Sequence, residues 1–409
     1  MRRITFWLSL ALIFSIPWET VVENPILGSA SRIIGLFVAG AWIATIIMTG
    51  KIRKPNLFHA VVVLFVTWNA LSAFWSQNVE RTVSHLVTWS QLLILAYILW
   101  DQYKTRQSLM TGLQMYVLGA YVVVGNAVSN YLSGKTYYYE RFSAAGTNPD
   151  DLGVVLALGI PVAWYLVAHN DHHKLSRWLK WINYAYVAAA LFGIALSGTR
   201  TALIAAGPGL VYGLTSLTRL KPAAKIAIFL LLMVGAYILI PYIPQASFER
   251  LGSTLNELSK GDLNGRLALW SEGLTSFSEH PLLGVGSNMY RSVNSLSKVA
   301  HNSFLSVLVE LGIVGFTLFA VILGIVVIQA LRQSKWEASF WLFMLASWTI
   351  GAFTLTWEYR KPTWLFLSLI IVSSAISRQN SQDIPLVQQE KLPTQLMPQA
   401  HKKRLPHGI

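Results

Sequence analysis

The 409-residue chain is 54% apolar and only 12% charged, with 16 Trp, no Cys and a mean hydropathy of +0.48. Water-exposed proteins carry about 25% charged residues, so the composition excludes an ordinary soluble enzyme, a disordered protein and a disulfide scaffold. The net charge of +14 fits a membrane protein whose basic residues mark the cytoplasmic side rather than a nucleic-acid binder, and the missing Cys fits an oxidising compartment.

Apolar runs of about 17–25 residues mark helices that span a bilayer. Twelve occur, at 4–18, 31–50, 57–75, 83–100, 109–131, 152–169, 181–197, 201–218, 225–240, 303–330, 338–356 and 363–377. The first follows Arg2 and Arg3 and precedes Gly28-Ser29-Ala30, as a cleaved leader would. The eleven further runs instead make a retained first anchor the expectation. The expected fold is therefore all-α and polytopic, with about 12 transmembrane helices over 1–377. A large helical periplasmic loop is expected at 241–302 and a disordered cytoplasmic tail at 378–409. The tail's Lys402-Lys403-Arg404 cluster reads as solvated, with anionic lipid as the alternative.

Lys and Arg set the orientation. With the N-terminus inside, the inner loops and tail hold 20 of the 32 basic residues and the outer side holds 12. Acidic residues divide 5 inside to 12 outside, with Glu310 within a run. Both termini are expected to be cytoplasmic.

The outer side then holds the chemistry. The segment 132–151 carries three consecutive tyrosines, Arg141 and the turn Asn148-Pro149-Asp150-Asp151. Ser197-Gly198-Thr199-Arg200 separates two apolar runs with almost no loop. Thr199 is a plausible N-cap there. Arg200 beside the free N–H groups of a helix start makes a phosphate site, or else snorkels to lipid headgroups.

In the large loop, Arg266, Leu269, Trp270, Gly273, Leu274 and Phe277 fall within a helical arc of about 140°. Arg266 lies in the middle of that stripe and needs an anion, either an acid elsewhere in the loop or a ligand. His301 stands where the loop meets the tenth run; a neutral imidazole there can act as a general base or be structural. Glu310 lies about 13 Å deeper and on the other side of the helix, so a structural pairing with a neighbouring span is expected. Several arginines and one base suit a diphosphate and the deprotonation of a hydroxyl. No Walker-type phosphate loop is present.

At these residues the sequence resembles the O-antigen ligase/polymerase family of bacterial polytopic membrane glycosyltransferases. Four blocks carry the resemblance, in order: Arg141-Phe-Ser-Ala-Ala-Gly-Thr-Asn-Pro149, Ser197-Gly-Thr-Arg200, Arg266-x-x-x-Trp270 with His280-Pro-Leu-Leu-Gly-Val-Gly286, and His301-Asn-Ser-Phe-Leu-x-x-Leu-x-Glu310-Leu-Gly312. The resemblance implies glycan transfer from an undecaprenyl-diphosphate carrier to an acceptor hydroxyl at the periplasmic face. The acceptor is lipid A-core sugar for a ligase, the reading placed first, or a carrier-linked repeat unit for a polymerase. It implies that Arg200 and Arg266 hold the diphosphate, with Arg291 as a further phosphate ligand. His301 takes the acceptor proton in an inverting displacement that needs no metal or other cofactor. Gly284 and Gly286 are expected to permit a tight turn rather than touch substrate.

Two other readings compete. A metal-dependent oligosaccharyltransferase would need converging carboxylates, for which Glu19, Glu23, Asp150 and Asp151 are the candidates. A secondary transporter would show repeated halves and ionisable groups near the midplane, which this sequence lacks.

Overall fold

The computed structural model describes residues 1–24, 28–137, 140–168, 177–218, 222–253 and 265–389. The chain is helical: α1 (Arg2–Ser15), α2 (Ala30–Thr49), α3 (Leu57–Leu71), α4 (Val79–Gln102), α5 (Arg106–Leu132), α6 (Pro149–Ala168) and α7 (Arg177–Ser197). There follow α8 (Arg200–Leu217), α9 (Pro222–Leu239), α10 (Gln245–Gly252), α11 (Arg266–Glu279), α12 (Ser303–Leu331), α13 (Lys335–Ala352) and α14 (Lys361–Gln389). Glu23–Asn24 pairs antiparallel with Gly28–Ser29, the one strand pairing among the described residues.

Among the described residues, eight helices are long and apolar enough to cross a membrane: α2, α3 with its following turn, α4, α5, α6, α7, α9 and α12. The other apolar runs form α1, α8, α13 and α14, which fall short of that length or apolarity. Their sequences show why. α1 has 14 residues. α13 and α14 hold polar groups, several of which find partners inside the protein: Trp341 Nε1 donates to Ser373 Oγ at 3.0 Å. Ser373 Oγ donates to Gln333 Oε1 at 2.6 Å, and Ser374 Oγ to Gln329 Oε1 at 2.8 Å. Helices that face protein rather than lipid can carry such residues, because their polar atoms find partners there.

The centre is α6, 89% buried, packed by α5, α7, α8 and α13. Small residues let backbones close in: a Cβ on Gly159 would stand 2.2 Å from Tyr186 Oη, and one on Gly213 2.3 Å from Trp164 Nε1. By contrast α9 is only 6% buried and turns Phe229, Leu230 and Met233 outward, an apolar face suited to lipid.

One break positions the site. α12 kinks at Gly312, whose φ of 66° and ψ of −170° leave the helical region. Segment 280–286 docks there through Ile313 N to Pro281 O at 2.8 Å, Val285 N to Val309 O at 3.1 Å and Gly286 N to Glu310 O at 2.9 Å. Among the described residues, the partners of Glu310 come from segment 288–290 rather than from a neighbouring span. Its carboxylate accepts from the backbone N–H groups of Asn288 at 2.7 Å and Tyr290 at 3.1 Å.

Two other details depart from the expected pattern. In α11 the buried positions are Leu269, Gly273 and Ser276, whereas Leu274 is 51% exposed. The last helix runs through Gln389, so 378–389 continues α14 rather than opening a tail. Residues 390–409, with Lys402-Lys403-Arg404, lie outside the described residues.

Candidate active site

The four sequence blocks meet at one end of the helix bundle. Arg141 ties the first to the second: Nε donates to Ser197 O at 2.7 Å, and Nη2 reaches Thr199 Oγ1 at 2.7 Å and Asp150 Oδ1 at 2.5 Å. Phe142 N donates to Leu196 O at 3.0 Å alongside. Thr199 occupies the N-cap position of α8 but makes no side-chain cap bond. Its hydroxyl is diverted to Pro149 O at 3.0 Å and Asp150 Oδ1 at 3.2 Å. Asp150 and Asp151 sit in the first turn of α6, where the helix dipole favours acids.

Trp270 ties the third block to the fourth. Its Nε1 donates to Ala300 O at 2.9 Å, one residue before His301. Tyr290 braces α11 from the other side, Oη donating to Leu269 O at 2.8 Å. This is the physical content of the Arg-x-x-x-Trp spacing: Arg266 and Trp270 lie one helical turn apart on one face. The helix that presents the arginine is thus pinned to the peptide that presents the histidine.

His301 holds a left-handed backbone, φ 49°. Its N–H donates to Thr356 Oγ1 at 3.1 Å. Asn302 then caps α12, Oδ1 accepting from Phe304 N at 3.0 Å and Leu305 N at 3.1 Å. The imidazole Nδ1 is buried with no hydrogen-bond partner. Burial lowers the His301 pKa below 6.5. The charges of Arg266 and Lys298 lower it further, against opposition from Asp150 and Asp151. The ring is therefore neutral at pH 7, as a base must be.

A cavity of about 290 Å³ opens beside it. His301 and Arg291 line it together with Asp151, Tyr137, Trp357 and Arg360. Arg291 is exposed and makes no salt bridge among the described residues. Arg266 is half-buried and likewise has no salt bridge there; burial lowers its pKa and the charge of Asp150 opposes that. It is a guanidinium held near His301 and Asp150 with no direct counter-ion among the described residues. Arg200 is placed differently. It is not among the cavity's residues, and its Nε donates to Arg250 O at 2.7 Å and its Nη2 to Ser253 Oγ at 2.7 Å. There it holds the end of α10, where a cation complements the dipole.

Three of the acids considered for a metal, Glu19, Asp150 and Asp151, are otherwise engaged. Burial opposes ionisation of Glu19, yet Lys361 and Ser31 hold its carboxyl below the usual range. Asp151 accepts from Trp357 Nε1 at 2.7 Å and Arg360 Nη2 at 3.0 Å. Glu23 lies in the short strand pairing. The described residues hold no group of three or more His, Asp or Glu at metal-binding range.

Sequence reasoning missed the segment 355–361. It supplies Thr356 to His301, Trp357 and Arg360 to Asp151, and Lys361 to Glu19. Burial also pushes the Glu358 carboxyl up to about 7. The signal was present as Thr356-Trp-Glu-Tyr-Arg-Lys361, a polar and aromatic cluster between two apolar runs.

Residues 185–320 match the family described as O-Antigen ligase. The exopolysaccharide production protein ExoQ of Rhizobium meliloti (strain 1021) is 24% identical over 312 residues, covering 69% of this chain and 68% of that protein.

Proposed function

We propose that the chain is a member of the O-antigen ligase/polymerase family, as the match over residues 185–320 and the ExoQ relative support, and that it moves a glycan from an undecaprenyl-diphosphate carrier to an acceptor hydroxyl at the periplasmic membrane face. The observation that carries the reading is His301. It is a neutral imidazole with an unpartnered Nδ1, in a cavity it shares with Arg291 and under the charge of Arg266. His301 takes the proton of the acceptor hydroxyl. The acceptor oxygen attacks the anomeric carbon from the face opposite the diphosphate, so the configuration inverts. The bond from that carbon to the phosphate oxygen breaks, and undecaprenyl diphosphate leaves with the electron pair.

Arg266 and Arg291 stabilise that departing charge by guanidinium–phosphate hydrogen bonds. Arg200 holds the end of α10 through Arg250 O and Ser253 Oγ and offers its remaining N–H groups to the phosphates. Because the arginines supply the positive charge, the reaction runs without a divalent ion.

Ligase activity towards lipid A-core is the first reading, after the family's description. The ExoQ relative, named for exopolysaccharide production, favours a second, in which the acceptor is another carrier-linked glycan. Purified protein incubated with carrier-linked glycan and each acceptor separately decides between them. Product is expected with one acceptor, and at an undiminished rate in excess EDTA. Loss of transfer on chelation, restored by Mg²⁺ or Mn²⁺, would replace the metal-free mechanism, and no product with either acceptor would overturn the transferase reading.

A further inference from the structure

We propose that the end of the molecule opposite His301 binds the phosphate headgroup of an anionic phospholipid, between the start of α3, the end of α12 and the second half of α14. A cavity of about 520 Å³ opens there. Arg53, Arg332 and Arg378 converge on its rim, with the amides of Asn56 and Gln329 between them. Phe58, Ile325, Ile328 and Ile371 form an apolar wall, and no carboxylate lines the cavity among the described residues.

Among the described residues, none of the three guanidiniums meets a direct counter-ion. Arg53 Nη1 donates to Trp100 O at 3.0 Å, and its Cζ lies 3.6 Å from the Trp100 ring centroid. That stacking fixes the guanidinium at the rim. Asp101 accepts instead from the Arg53 backbone N at 3.0 Å and stands 3.5 Å from Lys104 Nζ. Arg378 donates to the amide oxygen of Gln329. Arg332 is exposed, and no salt bridge among the described residues involves it. The first turn of α3 adds the positive end of a helix dipole, with Asn56 at its cap.

Arginines at helix ends ordinarily snorkel singly towards headgroups. Here three share one cavity with no acid among its described residues, and basic pockets between membrane helices bind anionic headgroups. The apolar wall decides between the two sources of a phosphate. A free ion has no use for a hydrocarbon surface, whereas a lipid lays an acyl chain along it. The site faces the end holding Arg2 and Lys51, joined by a 2.8 Å hydrogen bond, and is independent of the transfer reaction.

The test uses the full chain in detergent with equimolar phosphatidylglycerol and phosphatidylcholine. Bound lipid is counted by native mass spectrometry and the Tm is followed with each lipid. The unmodified protein is expected to retain phosphatidylglycerol preferentially and to gain Tm from it. Arg332→Gln/Arg378→Gln removes two exposed charges and should retain it on the order of thirtyfold more weakly, with an unchanged Tm in lipid-free detergent. If the double variant aggregates, Arg332→Gln alone should still weaken retention about fivefold. Equal retention of both lipids by the unmodified protein, or undiminished preference in the variants, overturns the proposal. A Tm gain from inorganic phosphate equal to that from phosphatidylglycerol overturns the lipid as occupant in favour of a free anion.

Discussion

His301 sits one residue before a helix cap, in a left-handed conformation that a side chain adopts at a cost of about 1–3 kcal/mol. The neighbours that hold it there are specific: Thr356 takes its N–H and Trp270 takes the preceding carbonyl. His301→Ala should fold, bind donor and lose on the order of 10²–10⁴-fold in turnover, measured by glycan transfer against carrier-linked donor. The pH profile adds a second readout. The lowered pKa of His301 keeps the base neutral as pH falls past 6.5, so the acid limb of kcat/KM should lie below that value. A limb at or above 6.5 would remove His301 from the role of base. Arg266 gives the companion test, since Lys keeps its charge but loses the planar fork. Arg266→Lys should impair transfer and Arg266→Ala more so. If Arg266→Ala lowers only Tm and leaves specific activity intact, its anion is structural. The histidine and the arginines could be picked out from the sequence because each is a polar group where apolar neighbours demand a reason. Thr356 and Arg360 could not, because their partners lie 55 and 209 residues away.

At the scale of elements, the kink in α12 organises the outer segment. A Cβ on Gly312 would stand 2.2 Å from Leu282 O, and one on Gly284 2.4 Å from Glu310 O, with positive φ at both. Gly284 thus serves the tight turn expected of it, and it does so by meeting another positive-φ glycine across the kink. Gly312→Ala should cost at least about 1–3 kcal/mol from the backbone alone, and more from the clash. It is expected to lower Tm in detergent and transfer together. A variant with normal Tm would show that the segment 280–286 does not depend on the kink. The sequence showed both glycines but not that they face each other, because their contact joins residues far apart in register and no helical period marks it. The same limit explains Arg200. Its place beside a helix start suggested a phosphate site, yet its side chain is drawn to Arg250 O and Ser253, contacts with no local signature. The eight clearest spans were legible because lipid-facing surfaces must be continuously apolar. α13 and α14 are less so because they carry polar groups such as Trp341, Ser373 and Ser374 that pair with protein neighbours.

At the scale of the molecule, the chain runs back and forth so that Arg2, Lys51 and Arg378 lie at one end and Arg266, Arg291 and His301 at the other. The excess of Lys and Arg in the first set of loops predicts that this end is cytoplasmic. The proposed site is then periplasmic, where a flipped carrier-linked donor would be met. The chain has no Cys, so single introduced thiols report their side without background. Ser278 is exposed on α11 near the proposed site, and Gln107 is exposed at the start of α5 at the opposite end. In intact cells treated with an impermeant maleimide, Ser278→Cys should be labelled and Gln107→Cys should react only after the membrane is opened. Both variants keep the residues of the proposed site, so each can be checked for transfer in the same preparation. The reverse labelling pattern would place His301 and the arginines in the cytoplasm, and no periplasmic donor diphosphate could then reach them.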